Sequence, residues 1–363
     1  MLFFIIIGLI STLIAAMYKN TRYALELAFI LFTFFFAIRY DFGADYDPYL
    51  THFGIANDAF DFEDALNTTS FEPGWVFLYR LFKPIGFFGM VIVLTILENL
   101  VLYKMIKKYV PVQWQWLAVF SYIMTSSLCL TGLSMMRQFL AMCLCMLAID
   151  LALKKKKNFI WALLLVLLST QFHTSATICY PFCFIGFIKD IKLHRVVAFS
   201  LGILLIVGGF LLADFLGEYL QLFIKTSAFE KYESNFGEQY TTRFGLSTVV
   251  SYIIVFVILL MQQKQNRELR ILYCFFVLYL IIDAFTPVAP LLGRMGLYFF
   301  IWLPICWPTA IDSLNKSQKE IVVLFLLIFI VFRIYGIVSF VTSPGWGNYF
   351  LEYHTIFSAP KWY

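Results

Sequence analysis

The sequence predicts an all-α, polytopic membrane protein of about twelve transmembrane helices joined by short external loops and helices. Three observations predict it. Hydrophobic residues fill 61% of the 363 positions and charged residues only 13%. The mean hydropathy is +0.83. Apolar runs recur from Leu2 to Val341, each roughly 16 to 22 residues long, enough at about 1.5 Å per helical residue to cross most of a hydrocarbon core about 30 Å thick. A β-barrel would instead show alternation over strands of about 10 residues.

In chain order the spans are expected at 2–17, 23–38, 85–103, 114–130, 132–153, 158–172, 174–188, 196–216, 247–261, 271–286, 295–311 and 321–342. The first run has no positive stretch before it and no small-residue cleavage site behind it, so it reads as a retained span rather than a signal peptide. Basic residues gather in alternate loops, at Lys19/Arg22, Lys104/Lys107/Lys108, Lys154 to Lys157, Lys189/Lys192/Arg195, Lys264/Arg267/Arg270 and Lys316/Lys319. The positive-inside rule makes these loops cytoplasmic and leaves both termini outside. The net charge of +5 then reports topology and contact with anionic lipid, not nucleic acid.

One integral membrane domain over 1–363 is expected, with external stretches at about 39–71, 217–246 and 343–363. The first carries Asp41, Asp45, Asp47, His52, Asp58, Asp61, Glu63 and Asp64, and Phe53 to Leu66 reads as a short surface helix with a solvated acidic face. The second carries Phe229, Tyr232, Phe236, Tyr240 and Phe244 at helical spacing, and the tail carries Trp346, Tyr349, Tyr353 and Trp362. For both, an interfacial aromatic belt competes with sugar stacking. The seven cysteines fall within spans without zinc-like pairing and read as small buried hydrophobes. Asn67-Thr68-Thr69 matches a glycosylation sequon; no glycine-rich phosphate loop or nucleophile elbow is visible.

Basic residues outside the cytoplasmic loops are mostly arginines: Arg39, Arg80, Arg137, Arg243, Arg294 and Arg333, joined only by Lys83, Lys225, Lys231 and Lys361. A guanidinium fork binds phosphate in bidentate fashion and stays charged in a dry site, so an outward arginine-lined cavity points to a lipid-linked phosphate or diphosphate. Snorkelling to the interface is the competing reading for Arg80, Arg243 and Arg333. Arg137-Gln138 is the sharpest signal. It interrupts the apolar run from Leu128 to Leu153, where a charge at mid-helix costs about 2.5 to 3.5 kcal/mol and marks function.

Four constellations fall on the outer side of this topology. Arg39-Tyr-Asp-Phe-Gly43-Ala-Asp45-Tyr46-Asp-Pro-Tyr49 leaves the second span with an arginine, turns at a glycine and presents a carboxylate; it could equally cap the helix and pair Arg39 with Asp45. Glu72-Pro-Gly-Trp75 starts a helix behind a carboxylate, for which dipole stabilisation is the plain alternative. The third is Ser134-Met-Met-Arg137-Gln138-Phe-Leu-Ala141 and the fourth Gln171-Phe-His173-Thr-Ser175. Arg294-Met-Gly-Leu-Tyr298 adds a late cation and phenol, with Asp283 as a candidate ion-pair partner.

In these motifs the chain resembles the EpsG-type exopolysaccharide polymerases, relatives of the Wzy-type O-antigen polymerases. The match runs through Arg39, Gly43-x-Asp45-Tyr46-x-x-Tyr49, Glu72, Leu133-Ser-Met-Met-Arg137-Gln138 through Ala141, Phe172-His173-x-Ser175, and Arg294 with Tyr298. Val196 to Leu260 carries no part of it. The resemblance implies a GT-C-type glycosyltransferase joining undecaprenyl-diphosphate-linked oligosaccharide repeats at the outer face of a bacterial cytoplasmic membrane. The product class stays open between O-antigen, capsule and exopolysaccharide. Lipid-linked oligosaccharide is then both donor and acceptor, and a chain-length regulator and a flippase are the expected partners.

The leaving diphosphate needs converging cations, which Arg39, Arg137 and Arg294, with Gln138 and Tyr298, would supply without a metal or other cofactor. The acceptor hydroxyl needs a base, for which Asp45, His173 and Glu72 are the candidates in that order. Asp45-Tyr-Asp47 also reads as an acid-x-acid pair for a divalent ion, which the arginines make redundant. Two rivals remain. A flippase or other transporter would spread charge through the membrane depth, whereas these groups bunch at outer helix ends. A membrane acyltransferase with His173 as base would need a cytoplasmic donor route, and the inner loops offer no carboxylate-histidine cluster.

Overall fold

The structure is a computed structural model and describes residues 2–358 apart from 193, 195, 205–206, 208–245, 285, 287–289, 317 and 344–345. The aromatic stretch with Phe229, Tyr232, Phe236, Tyr240 and Phe244 lies outside the described residues, as do Arg243 and Trp362. The chain is an all-α polytopic membrane protein. Among the described residues, Leu2–Lys19, Gly86–Tyr109, Met136–Lys154 and Lys319–Val341 are long and apolar enough to cross a membrane. A bent pair, Leu292–Phe300 and Leu303–Asn315, meets at 48° and would make a fifth. Helical residues occupy each of the twelve intervals expected from the sequence.

Two compact units divide the chain, Met1–Phe187 with Arg333–Tyr363, and Ile188–Phe332. The first contains α1 (Leu2–Ala16), α2 (Ala24–Ala37), α3 (Tyr46–Asp58), α4 (Phe62–Thr69), α5 (Pro73–Leu81), α6 (Gly86–Tyr109), α7 (Gln115–Ile123), α8 (Cys129–Ser134), α9 (Met136–Lys154) and α10 (Phe159–Thr170). A 3-10 helix, Thr174–Phe187, follows. The second holds α11 (Leu246–Met261), α12 (Arg267–Ala284), α13 (Pro290–Phe300) and α14 (Leu303–Asn315); the unit boundary falls inside α15 (Lys319–Val341).

Several elements depart from the simple spans of the sequence reading. The expected span over 114–130 ends at Ile123, and a short α8 and a break at Met135 precede α9. Hydroxyls cluster at this break: Ser121 and Thr125 donate back to the carbonyls of Leu117 and Ser121, each at 2.6 Å, and Thr131 to that of Ser126 at 3.2 Å. Such bonds compete with the helical ladder. The expected surface helix over Phe53–Leu66 is two helices. Asp61, extended at φ −137°, accepts from the Asp64 N–H at 2.9 Å and starts α4 afresh. Arg80 donates to the carbonyls of Ala56, Ala59 and Asp61, and Lys83 to that of Asn57. These cations complement the C-terminus of α3, so Arg80 has a structural post rather than a snorkelling one.

The first unit is stitched together at depth by aromatic and polar contacts. Phe4 meets Phe36 edge-on at 5.4 Å, and Ser169 on α10 donates to the Ala141 carbonyl of α9 at 2.8 Å. Near the end where the lysine-rich loops gather, Lys108, Tyr109 and Lys154 converge on the Asp150 carboxylate, and Lys107 pairs with Glu26 at 2.5 Å. Cys129, Cys143, Cys145, Cys179, Cys183 and Cys306 are buried free thiols, and Cys274 is half-buried.

Arg39–Tyr40 pairs antiparallel with His354–Thr355, a two-stranded ribbon that brings the C-terminal segment to the exit of α2. In the second unit Arg270 grips Asp190 with two bonds of 2.9 and 2.8 Å, and Arg267 donates to the Ile188 and Lys189 carbonyls.

Candidate functional site

The site is built at the head of α9. Arg137 is the second residue of that helix, where a cation opposes the positive end of the helix dipole and calls for an anion nearby. Glu72 supplies it from the start of α5. Arg137 Nη1 lies 2.5 Å from Glu72 Oε2, with both side chains about four-fifths buried. The guanidinium carbon also sits 4.1 Å from the centre of the Phe71 ring and 5.8 Å from that of Tyr49. A cation held over an aromatic face is attracted by the ring quadrupole, which helps to fix the guanidinium in place. Tyr49 is itself fixed, its carbonyl accepting from the Tyr79 hydroxyl at 3.1 Å.

Glu72 precedes Pro73 as the N-cap of α5, yet its carboxylate makes no capping bond. Instead Oε1 accepts from the Thr174 N–H at 3.1 Å and from the Thr174 hydroxyl at 2.9 Å. Two residues on, the Gly74 N–H donates to the Gln171 carbonyl at 2.9 Å. A Cβ on Gly74 would lie 2.7 Å from that oxygen, so the close approach requires glycine. The second and fourth constellations of the sequence are thereby joined, and Arg137 ties the third to both.

The first constellation joins through Ser134. Gly43 has φ +112°, and a Cβ there would stand 3.0 Å from the Ser134 Cα and Cβ. This glycine therefore meets two demands at once, a positive-φ backbone and close contact with the Ser134 segment. The turn closes with the Tyr46 N–H on the Gly43 carbonyl at 3.1 Å, and the Asp45 N–H donates to Ser134 Oγ at 3.1 Å. Ser134 lies three residues before Arg137, so Asp45 and Arg137 are both referenced to the junction of α8 and α9. His173 has Nδ1 2.6 Å from Ser175 Oγ and accepts there from the Ser175 N–H at 3.3 Å. An accepting Nδ1 leaves the proton of a neutral imidazole on Nε2.

Burial opposes ionisation of Glu72, but the Arg137 guanidinium, backbone hydrogen bonds including that from Thr174, and His173 together hold its carboxyl below the ordinary value of 4.5. A carboxyl depressed on folding contributes stability that is complete above the unfolded value and lost as pH falls through the folded one. The pair should thus persist unchanged from about pH 8 down to about pH 5. Over that range the pH–rate profile of Glu72→Gln should run parallel to wild type, displaced downward by roughly tenfold or more for the lost charge-assisted bonds. A limb present in wild type and missing from Glu72→Gln would show that Glu72 titrates there and would refute the assignment.

The remaining candidates are placed differently. Arg39 is only 2% exposed, and its guanidinium donates to the Phe36 carbonyl at 2.6 Å, Thr95 Oγ1 at 2.7 Å and the Leu133 carbonyl at 3.2 Å. It therefore fastens α2, α6 and α8 to one another. Gln138 is buried within α9. Arg294, exposed, and Tyr298, buried, belong to α13 of the second unit; there Asp283 accepts from the Tyr252 hydroxyl at 2.8 Å. Sequence reasoning passed over Tyr49 and Phe71 as partners of Arg137, Thr174 as a partner of Glu72, and Glu98, buried on α6 one turn from Thr95. Phe71 and Thr174 adjoin motif residues, which is the one signal that could have found them.

The EpsG family model matches residues 22–355 of the chain. No curated protein and no solved structure matches it.

Proposed function

Because the chain belongs to the EpsG family, that of the EpsG-type exopolysaccharide polymerases, we propose that it joins undecaprenyl-diphosphate-linked oligosaccharide repeats by inverting glycosyl transfer. The reaction takes place at the outer face of a bacterial cytoplasmic membrane, on a GT-C-like scaffold of twelve spans. The observation that carries this reading is the Arg137–Glu72 pair with Thr174 behind it. It sets a guanidinium at the head of an apolar helix without neutralising its whole donor fork.

In the reaction the acceptor's terminal hydroxyl attacks the anomeric carbon of the growing chain. The bond from that carbon to the diphosphate oxygen breaks, and the electron pair stays on the diphosphate. A single displacement inverts the anomeric configuration. Arg137 offers its fork to the diphosphate as negative charge builds, with Gln138 next to it in the chain. Arg39, with its guanidinium committed to three protein oxygens, serves as a positioning residue.

The hydroxyl proton passes to Asp45. Among the three candidate bases, Glu72 is engaged by Arg137 and Thr174 and kept ionised by them, which makes it a poor proton acceptor. His173 accepts at Nδ1 from Ser175, so its Nε2–H suits donation to the leaving oxygen better than proton abstraction. Asp45 stands on a turn fixed by its own backbone N–H, at the same α8–α9 junction from which Arg137 projects. No metal enters this scheme.

Deleting the gene in its host and sizing the lipid-linked glycans by leaflet tests the reading. Single repeats accumulating on the outer leaflet support it. Repeats stranded on the inner leaflet would mean a flippase, and full-length but undecorated chains an acyltransferase.

A further inference from the structure

The C-terminal segment, residues 346–356, is bound to the Asp45 turn more thoroughly than a tail needs to be. Its strand His354–Thr355 pairs with Arg39–Tyr40 in register Arg39↔Thr355 and Tyr40↔His354. On one side of that ribbon the Ile356 N–H donates to the Ile38 carbonyl at 2.9 Å; on the other the Gly43 N–H donates to the Tyr349 carbonyl at 3.1 Å. The backbone from Ile38 to Gly43 is therefore held at both ends by the tail.

Side chains add a plug. Phe350 is fully buried and meets Phe42 edge-on at 5.2 Å and Phe340 of α15 at 5.6 Å. Tyr353 stacks on Phe3 at 4.2 Å, contacts Phe42 at 5.8 Å, and its hydroxyl donates to the Phe35 carbonyl at the end of α2. Phe42 lies between two committed neighbours, Asp41 with its left-handed φ of +46° and Gly43 with φ +112°. Of the two, Asp41 is in a backbone region that residues with side chains adopt uncommonly.

We propose that the C-terminal segment is a permanent clamp on the catalytic turn: it fixes Gly43 from one side while Ser134 fixes it from the other, and together they set where the Asp45 carboxylate points. Phe350 is its principal positioning residue. This rests on the assignment of Asp45 as base. The clamp stays closed through turnover, since opening it would strip backbone partners from Ile38, Tyr40 and Gly43 together.

The test uses the full-length protein in membranes and lipid-linked repeat units extracted from the host lacking the gene. Phe350→Ala is expected to insert at wild-type abundance and to keep KM within about twofold while kcat falls about tenfold or more, because small misplacements at a reacting group are costly. Phe350→Leu, which refills most of the space, should recover most of that loss. A Tyr40→Cys/His354→Cys pair, directly cross-strand, can be bridged, and its turnover should be the same oxidised and reduced. If Phe350→Ala polymerises as fast as wild type, or if the oxidised pair is inactive and the reduced pair active, the clamp is refuted. Failure of wild type itself to extend the extracted repeats would instead refute the polymerase reading.

Discussion

Arg137→Lys is expected to lower polymer synthesis on lipid-linked repeats about a hundredfold, a loss of about 2.7 kcal/mol in transition-state stabilisation. Lysine keeps the charge and so keeps a partner for Glu72, yet it has no planar fork. A guanidinium can engage Glu72 through Nη1 and still present other N–H groups to a diphosphate, whereas one ammonium cannot serve both at the same geometry. The phosphate-binding role therefore predicts a fall in kcat at near-normal protein abundance. Arg137→Ala goes further, leaving a mostly buried Glu72 without its cation, and should lose stability as well as activity, by about 2 to 5 kcal/mol for a broken buried pair. Near-normal chain length in Arg137→Lys, measured on extracted polymer, would sink bidentate diphosphate binding.

Asp45→Asn is expected to cut kcat by about 10²- to 10⁴-fold, the usual range for removing a general base. The substitution is nearly isosteric and leaves the backbone N–H on Ser134 Oγ, so the turn should survive. Asp47→Asn, at an exposed position two residues on, should stay within about twofold of wild type as an ordinary surface change. Turnover assays on both, at matched abundance, separate the readings. Equal losses would revive the acid-x-acid metal site, and EDTA sensitivity would accompany it.

The sequence singled out the candidate residues and left their partners hidden. Arg137 stood out because hydrophobicity makes a lone guanidinium costly, and Gly43, Glu72, Gly74 and His173 because turns and helix starts restrict residue type. What joins them cannot be read from spacing. Glu72 lies 65 residues from Arg137 and 102 from Thr174, and Asp45 lies 89 from Ser134. Arg39 shows the same limit. An arginine beside a span end reads as an outward cation, but α2 stops where Phe36 offers a free carbonyl, and Thr95 and Leu133 close around the side chain.

In the fold, hydropathy located helical segments in all twelve intervals yet drew them straight. The run is broken between Ile123 and Met136, where hydroxyl groups bond back to preceding carbonyls. The tail read as an aromatic belt because its partners, Phe3, Phe35 and Phe42, lie at the far end of the chain; Tyr353 and Phe35 are separated by 318 positions.

Six of the seven thiols are shut inside the protein and the seventh is half covered, so the native chain is close to silent toward a membrane-impermeant maleimide. Single reporter cysteines can then be placed without first stripping the protein of its own. Asn67→Cys should label from outside intact cells and Lys155→Cys only after permeabilisation; the reverse pattern would turn the whole molecule over in its membrane.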